Sequence, residues 1–204
     1  MNVYQVKPPF ILLHYVPVSA FDTTSNYSVV DRYNSLIPFN LVLSIANPRI
    51  NADGVFFQET GQGSIKSHTQ IFRNGIFEQG SNLHFSHHYG TEDHKGRPGF
   101  DVLSFEEDLR DSIYRQLRTY KVLGMPDPFY IFVSMIGGMG VCALRRPMTM
   151  LERPPQAIDE EFLKLPEILI ESSEREKIEY AVTTICTYFG NAFGFQKKPN
   201  QGAF

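Results

Sequence analysis

Phe129-Tyr-Ile-Phe-Val-Ser-Met-Ile-Gly-Gly-Met-Gly-Val-Cys-Ala-Leu-Arg145 is the most apolar run of the chain, and it limits the possible folds more than any other stretch. Its β-branched and aromatic residues predict two short strands, 129–136 and 141–145. Gly137-Gly138-Met139-Gly140 would join them as a hairpin, because glycine tolerates the positive φ of a tight connection. A continuous apolar strand of this kind is expected to be buried on both faces.

The flanking segments supply elements to pack against it. Phe10 to Pro17 reads as a strand bounded by prolines. Further strands are expected at 55–59, 68–72, 76–79 and 166–171. Arg73-Asn74-Gly75 lies between two apolar-rich runs and predicts a hairpin. Ser28 to Leu36 suggests a short helix; Phe39 to Ile45 fits either a strand or a buried loop. Ser104-Phe-Glu-Glu107 is a capping box, followed by Phe105, Leu109, Ile113, Leu117 and Tyr120 at helical spacing, with Gly124 as the stop. Ser173-Glu-Arg-Glu176 opens a second helix with Ile178, Val182, Ile185 and Phe189 on one stripe. Asp159 is placed to cap a single helical turn at 160–164. The expected fold is one α+β domain over residues 1–204: a mixed, mostly antiparallel sheet with two main helices, 104–123 and 174–190, packed on it. A polar tail follows from about residue 196.

Composition narrows the function. Hydrophobic residues make up 42% of the chain and charged residues 20%, enough for a packed core. With 19 basic and 22 acidic residues the formal charge is −3, which argues against nucleic-acid binding through bulk charge. Cys142 and Cys186 lie in apolar segments and read as reduced, buried thiols. The N-terminus does not read as a signal peptide, and no apolar run reaches membrane-spanning length. A cytoplasmic protein without membrane contact is the expectation.

Histidines are the main chemical signal. Four of the six fall between Gly80 and Asp101. His84, His87, His88, Asp93 and His94 form a candidate ligand set for Zn²⁺ or another divalent metal, since imidazole and carboxylate suit such ions. Asp101, Glu106 and Glu107 are near enough in sequence to join, although a helix start also favours acids there. No other cofactor is expected. His14 interrupts an apolar strand. It reads as a hydrogen-bonded core histidine, and a catalytic or ligand role would require other polar groups to converge on it. Arg110, Arg118, Arg145 and Arg146 are candidate phosphate contacts if the fold clusters them. The glycines at 137, 138 and 140 lack the Lys-Ser/Thr pair of a phosphate loop.

Leu12-Leu-His-Tyr-Val-Pro-Val-Ser19, Gln70-Ile-Phe-Arg-Asn-Gly-Ile-Phe-Glu78, Tyr130-Ile-Phe-Val-Ser-Met-Ile-Gly-Gly138, Leu165-Pro-Glu167 and Phe193-Gly-Phe195 with Pro199-Asn200 occur in that order. Together they resemble the region that follows the AlbA-like (Schlafen-type) DNA-binding domain in bacterial proteins. The resemblance implies a C-terminal accessory module and carries over no catalytic residue. The leading expectation is thus a non-enzymatic interaction or sensing module of a nucleic-acid-related, defence-associated bacterial protein. Its partner would be another protein or a second copy, with nucleic acid reached through a linked domain. A metal-dependent hydrolase or nuclease using 84–101 is the alternative. Direct nucleic-acid binding through the four arginines is the third reading.

Overall fold

The structure, a computed structural model, describes residues 5–22, 27–32, 48–61, 64–86, 96–125, 127–144 and 156–195. Within them the architecture is the expected α+β one. The strands are β1 (Gln5–Val6), β2 (Phe10–Pro17), β3 (Arg49–Ile50), β4 (Gly54–Gly61), β5 (Ser64–Phe72), β6 (Phe77–Ser81), β7 (Phe85–Ser86), β8 (Gly99–Phe100), β9 (Phe129–Ile136), β10 (Cys142–Ala143), β11 (Phe162–Lys164) and β12 (Ile168–Ile170). The helices are α1 (Val29–Arg32), α2 (Val102–Leu123) and α3 (Arg175–Ala192).

The main sheet has the order β11-β9-β2-β6-β5-β4-β3, with β12 also on β9 and β1 parallel to β5. Apart from β1 its pairings are antiparallel. The Arg73-Asn74-Gly75 connection makes the expected hairpin: Phe72 N–H donates to Ile76 O at 2.8 Å and Gly75 takes φ +89°. Period-two alternation then selects an inner face. Ile11, Leu13 and Tyr15 of β2 and Ile131, Val133 and Met135 of β9 are buried. Phe105, Leu109 and Ile113 of α2 and Val182, Ile185 and Phe189 of α3 complete that core. Each such side chain contributes roughly 1.5–3 kcal/mol by leaving water. A polar stripe runs through the same layer. Tyr15 Oη donates to Ser112 Oγ at 2.8 Å, and Ser112 donates to Gln79 Oε1 at 2.6 Å. Burial pushes the Tyr15 phenol well above its ordinary pKa, so it stays a donor.

Several expectations need correction. The 129–145 run is not a hairpin. β9 has β2 on one side and β11 and β12 on the other, so no edge is left for a returning strand. The glycine segment bonds elsewhere: Gly138 N–H reaches Glu161 O and Gly140 N–H reaches Ile158 O. The chain leaves the main sheet, and β10 pairs in parallel with β8, in a small sheet of order β10-β8-β7. Nor is β9 buried on both faces, because Phe132 on its outer side is 38% exposed. The helical turn expected at 160–164 is strand β11, held by β9. At α2 the cap is Asp101, not Ser104: Asp101 Oδ1 accepts from Ser104 N at 3.1 Å. At α3 the capping position is Glu174, without a side-chain cap bond. The expected 28–36 helix is described only at Val29–Arg32, and 39–45 and the tail from 196 lie outside the described residues.

Candidate functional site

The face of the sheet opposite the helices brings together three titratable side chains that are far apart in sequence. Register places His14 of β2 directly across from Glu78 of β6, and His68 of β5 across from Gly80. Cross-strand neighbours share a face, so both imidazoles lean on the same carboxylate. His14 Nε2 lies 3.0 Å from Glu78 Oε2, and His68 Nε2 lies 2.9 Å from Oε1. An ionised carboxylate only accepts, so each ring donates its Nε2–H. The bonds from His14 and then His68 hold the Glu78 carboxyl well below the usual carboxylate range, against the opposing effect of burial.

The two histidines are held differently. His68 is stacked on Phe10 at 5.7 Å and tilted against Phe56 at 5.9 Å. It lies over Gly80, where an added Cβ would come within 2.4 Å of His68 Cε1 and 2.3 Å of Phe10 Cε1. Only glycine leaves room for this ring pair. His14 is more open, with 32% of its side chain exposed against 10% for His68. Phe132 faces His14 from the strand on its other side. The set gathers two imidazoles around one ionised carboxylate. Because each carboxylate oxygen serves a different ring, it is a hydrogen-bonded bridge and not a chelate. Among the described residues no His, Cys, Asp and Glu side chains converge as a metal-ligand set.

The structure also places several of the sequence candidates. His87, His88, Asp93 and His94 lie outside the described residues. His84 is buried in the core, edge-on to Phe105 at 5.4 Å, with Nε2 2.9 Å from Asp108 Oδ2. Its Nδ1 is buried, with no hydrogen-bond partner among the described residues. Asp101 caps α2 and Glu106 bonds Arg110. Arg110 bridges α2 to α3 through Glu106 at 2.9 Å and Glu179 at 3.1 Å. Arg118 is exposed about two turns further along. Arg145 and Arg146 lie outside the described residues. Cys142 and Cys186 are both buried and not joined in a disulfide. Among the described residues no helix is long and apolar enough to cross a membrane.

Residue-type reasoning alone overlooked His68, Glu78 and Asp108. The hairpin register, counted outward from Asn74-Gly75, sets Glu78 beside the row of His68, and His14 is the polar residue of the strand that pairs next. Comparison with protein families, with curated proteins and with solved structures returns no match.

Proposed function

We propose that this chain is a non-enzymatic interaction or sensing module that docks a protein partner on the open face of its sheet. One observation carries the reading. Phe132, Phe162 and Leu169 are 38%, 56% and 42% exposed on that face; Phe132 is directly across from His14, and Phe162 and Leu169 are on the strands that pair with the other side of β9. Exposed apolar side chains grouped around a polar centre mark interaction surfaces. Charge selects the partner. Glu78 stays ionised, so the face has a carboxylate at its centre, and an apolar surface with a lysine or arginine complements it. A protein partner is favoured over nucleic acid on this face because its centre is a carboxylate. The resemblance to AlbA-associated regions supports placing nucleic acid on a linked domain, and the two buried thiols fit a reducing, cytoplasmic setting.

Selection from a random-peptide phage library tests this. Enriched sequences should combine apolar residues with Lys or Arg and should lose at least about tenfold in affinity to the Phe132→Ser variant. No enrichment, or equal binding by the variant, would remove the open face as a docking surface. Sedimentation of the chain alone reports whether a second copy occupies the face instead.

One observation favours the metal reading as a second possibility. A carboxylate-held imidazole with an unused ring nitrogen is the arrangement of many metal ligands, and His84 has it: Asp108 on Nε2 and, among the described residues, nothing on Nδ1. Elemental analysis of untagged chain, equilibrated with zinc or manganese, should then find about one equivalent. That equivalent should disappear in His84→Ala and in the His87→Ala/His88→Ala double variant. Absence of metal, or unchanged stoichiometry in the variants, ends this reading.

A further inference from the structure

A separate cavity, of about 320 Å³, lies where the segment entering β2, the first residues of β5 and the end of β6 meet. Lys7, Lys66 and Asn82 line it on the polar side, and Pro9, Leu83 and Phe85 on the apolar side. Among the described residues no carboxylate lines it. Neither lysine is ion-paired among the described residues. Two lysines around one small concavity, with no paired acid among the described residues, concentrate positive potential there, against the net charge of −3 of the chain.

Lys66 folds back across Gly61, where an added Cβ would lie 2.2 Å from Lys66 Cε and 2.8 Å from its Nζ. Ser64 Oγ donates to Gly61 O at 3.0 Å and fixes that glycine in place. Asn82 N–H donates to Lys66 O at 2.9 Å, which ties the third polar group to the strand that carries the lysine. On the apolar side the Phe85 ring is set against Phe100, at 5.1 Å. Lysine is a compact point charge suited to phosphate. The volume is at the lower end for small-molecule sites, about 300 Å³ upward.

We infer that this cavity binds a small phosphate-bearing organic ligand, its phosphate between Lys7 and Lys66 and its ring or apolar body against Leu83 and Phe85. None of His14, His68 and Glu78 lines it. Inorganic phosphate shares the head-group chemistry, so the test must separate the two.

Calorimetric titration of the full chain at low salt, with adenosine 5′-monophosphate, adenosine and inorganic phosphate as probes, does so. The monophosphate is expected to bind with a sub-millimolar Kd, adenosine not detectably, and phosphate at least about tenfold more weakly than the monophosphate. The Lys7→Gln/Lys66→Gln double variant should lose at least about tenfold in affinity for the monophosphate, and added salt should weaken binding. Gly61→Ala, which displaces Lys66 without removing a charge, should also weaken it. Circular dichroism of each variant checks that the fold is kept. No binding of the monophosphate in the millimolar range, or undiminished binding by a folded double variant, overturns the assignment. Phosphate binding as tightly as the monophosphate overturns its organic part.

Discussion

Phe100→Ala is expected to cost the fold about 3–5 kcal/mol, the range for removing a fully buried aromatic side chain. Phe100 is 0% exposed, and its ring joins elements that share no main-sheet hydrogen bonds. Ring centroids lie 5.1 Å from Phe85 of the small sheet, 5.3 Å from Phe105 of α2, and 5.2 and 5.9 Å from Phe189 and Phe193 of α3 and its end. His84 meets it edge-on at 6.4 Å. Truncation therefore leaves a void at the meeting point of both main helices and the small sheet. A domain of this size has roughly 5–15 kcal/mol in total, so the urea midpoint should fall by a large fraction. Phe132→Ala, on the open face, should move it by about 1 kcal/mol or less. Equal shifts for the two variants would mean that the small sheet unfolds apart from the main core.

Phe100 also shows where sequence patterning stops. Strands 10–17 and 129–136 and the helix ending at Gly124 follow from local rules, because turn residues, alternation and helical spacing act over a few residues. Gly99–Phe100 has no such signature. Two residues make a strand only because β7 and β10 lie on either side of them. The same non-locality explains the misread 129–145 run. Its apolar character marks core correctly, but whether two adjacent strands pair depends on which edges other strands already occupy. Sequence cannot supply that without the register of β11 and β12.

The candidate site follows the same logic. His84 to His94 draws attention because its members are neighbours in the chain, yet His84, its one described histidine, is directed to Asp108 and an aromatic core. His14, His68 and Glu78 sit on three strands, 64 and 10 residues apart. They meet because β6 is between β2 and β5. Expecting His14 to matter only if polar groups converged on it set the right condition, and the structure meets it.

Glu78→Gln is the substitution that reads out this bridge, and its effect should depend on pH with a definite sign. The Glu78 carboxyl is held below its unfolded value, which is about 4.3 for glutamate. Such a group contributes stability that is present above the unfolded pKa and is lost as pH falls through the folded pKa. At neutral pH two charge-assisted bonds are lost, and an amide donor is placed against one imidazole donor. The variant should be less stable by about 1–3 kcal/mol. Below pH of about 4 the wild type should lose stability faster than the variant, and the gap should narrow, because protonating Glu78 removes the same bonds that the substitution removes. Glu171→Gln is the control: Glu171 pairs with Lys177 at 2.8 Å, but both side chains are largely exposed. Its effect should be small and should fade in salt, whereas the Glu78 effect should persist because His68 and the aromatic rings shield one side of the bridge. Urea titrations of the three proteins across the acid range decide the matter. A gap between wild type and Glu78→Gln that stays constant down to pH of about 3 would show that Glu78 is not the charged centre of the face, and the complementary partner charge argued from it would fall as well.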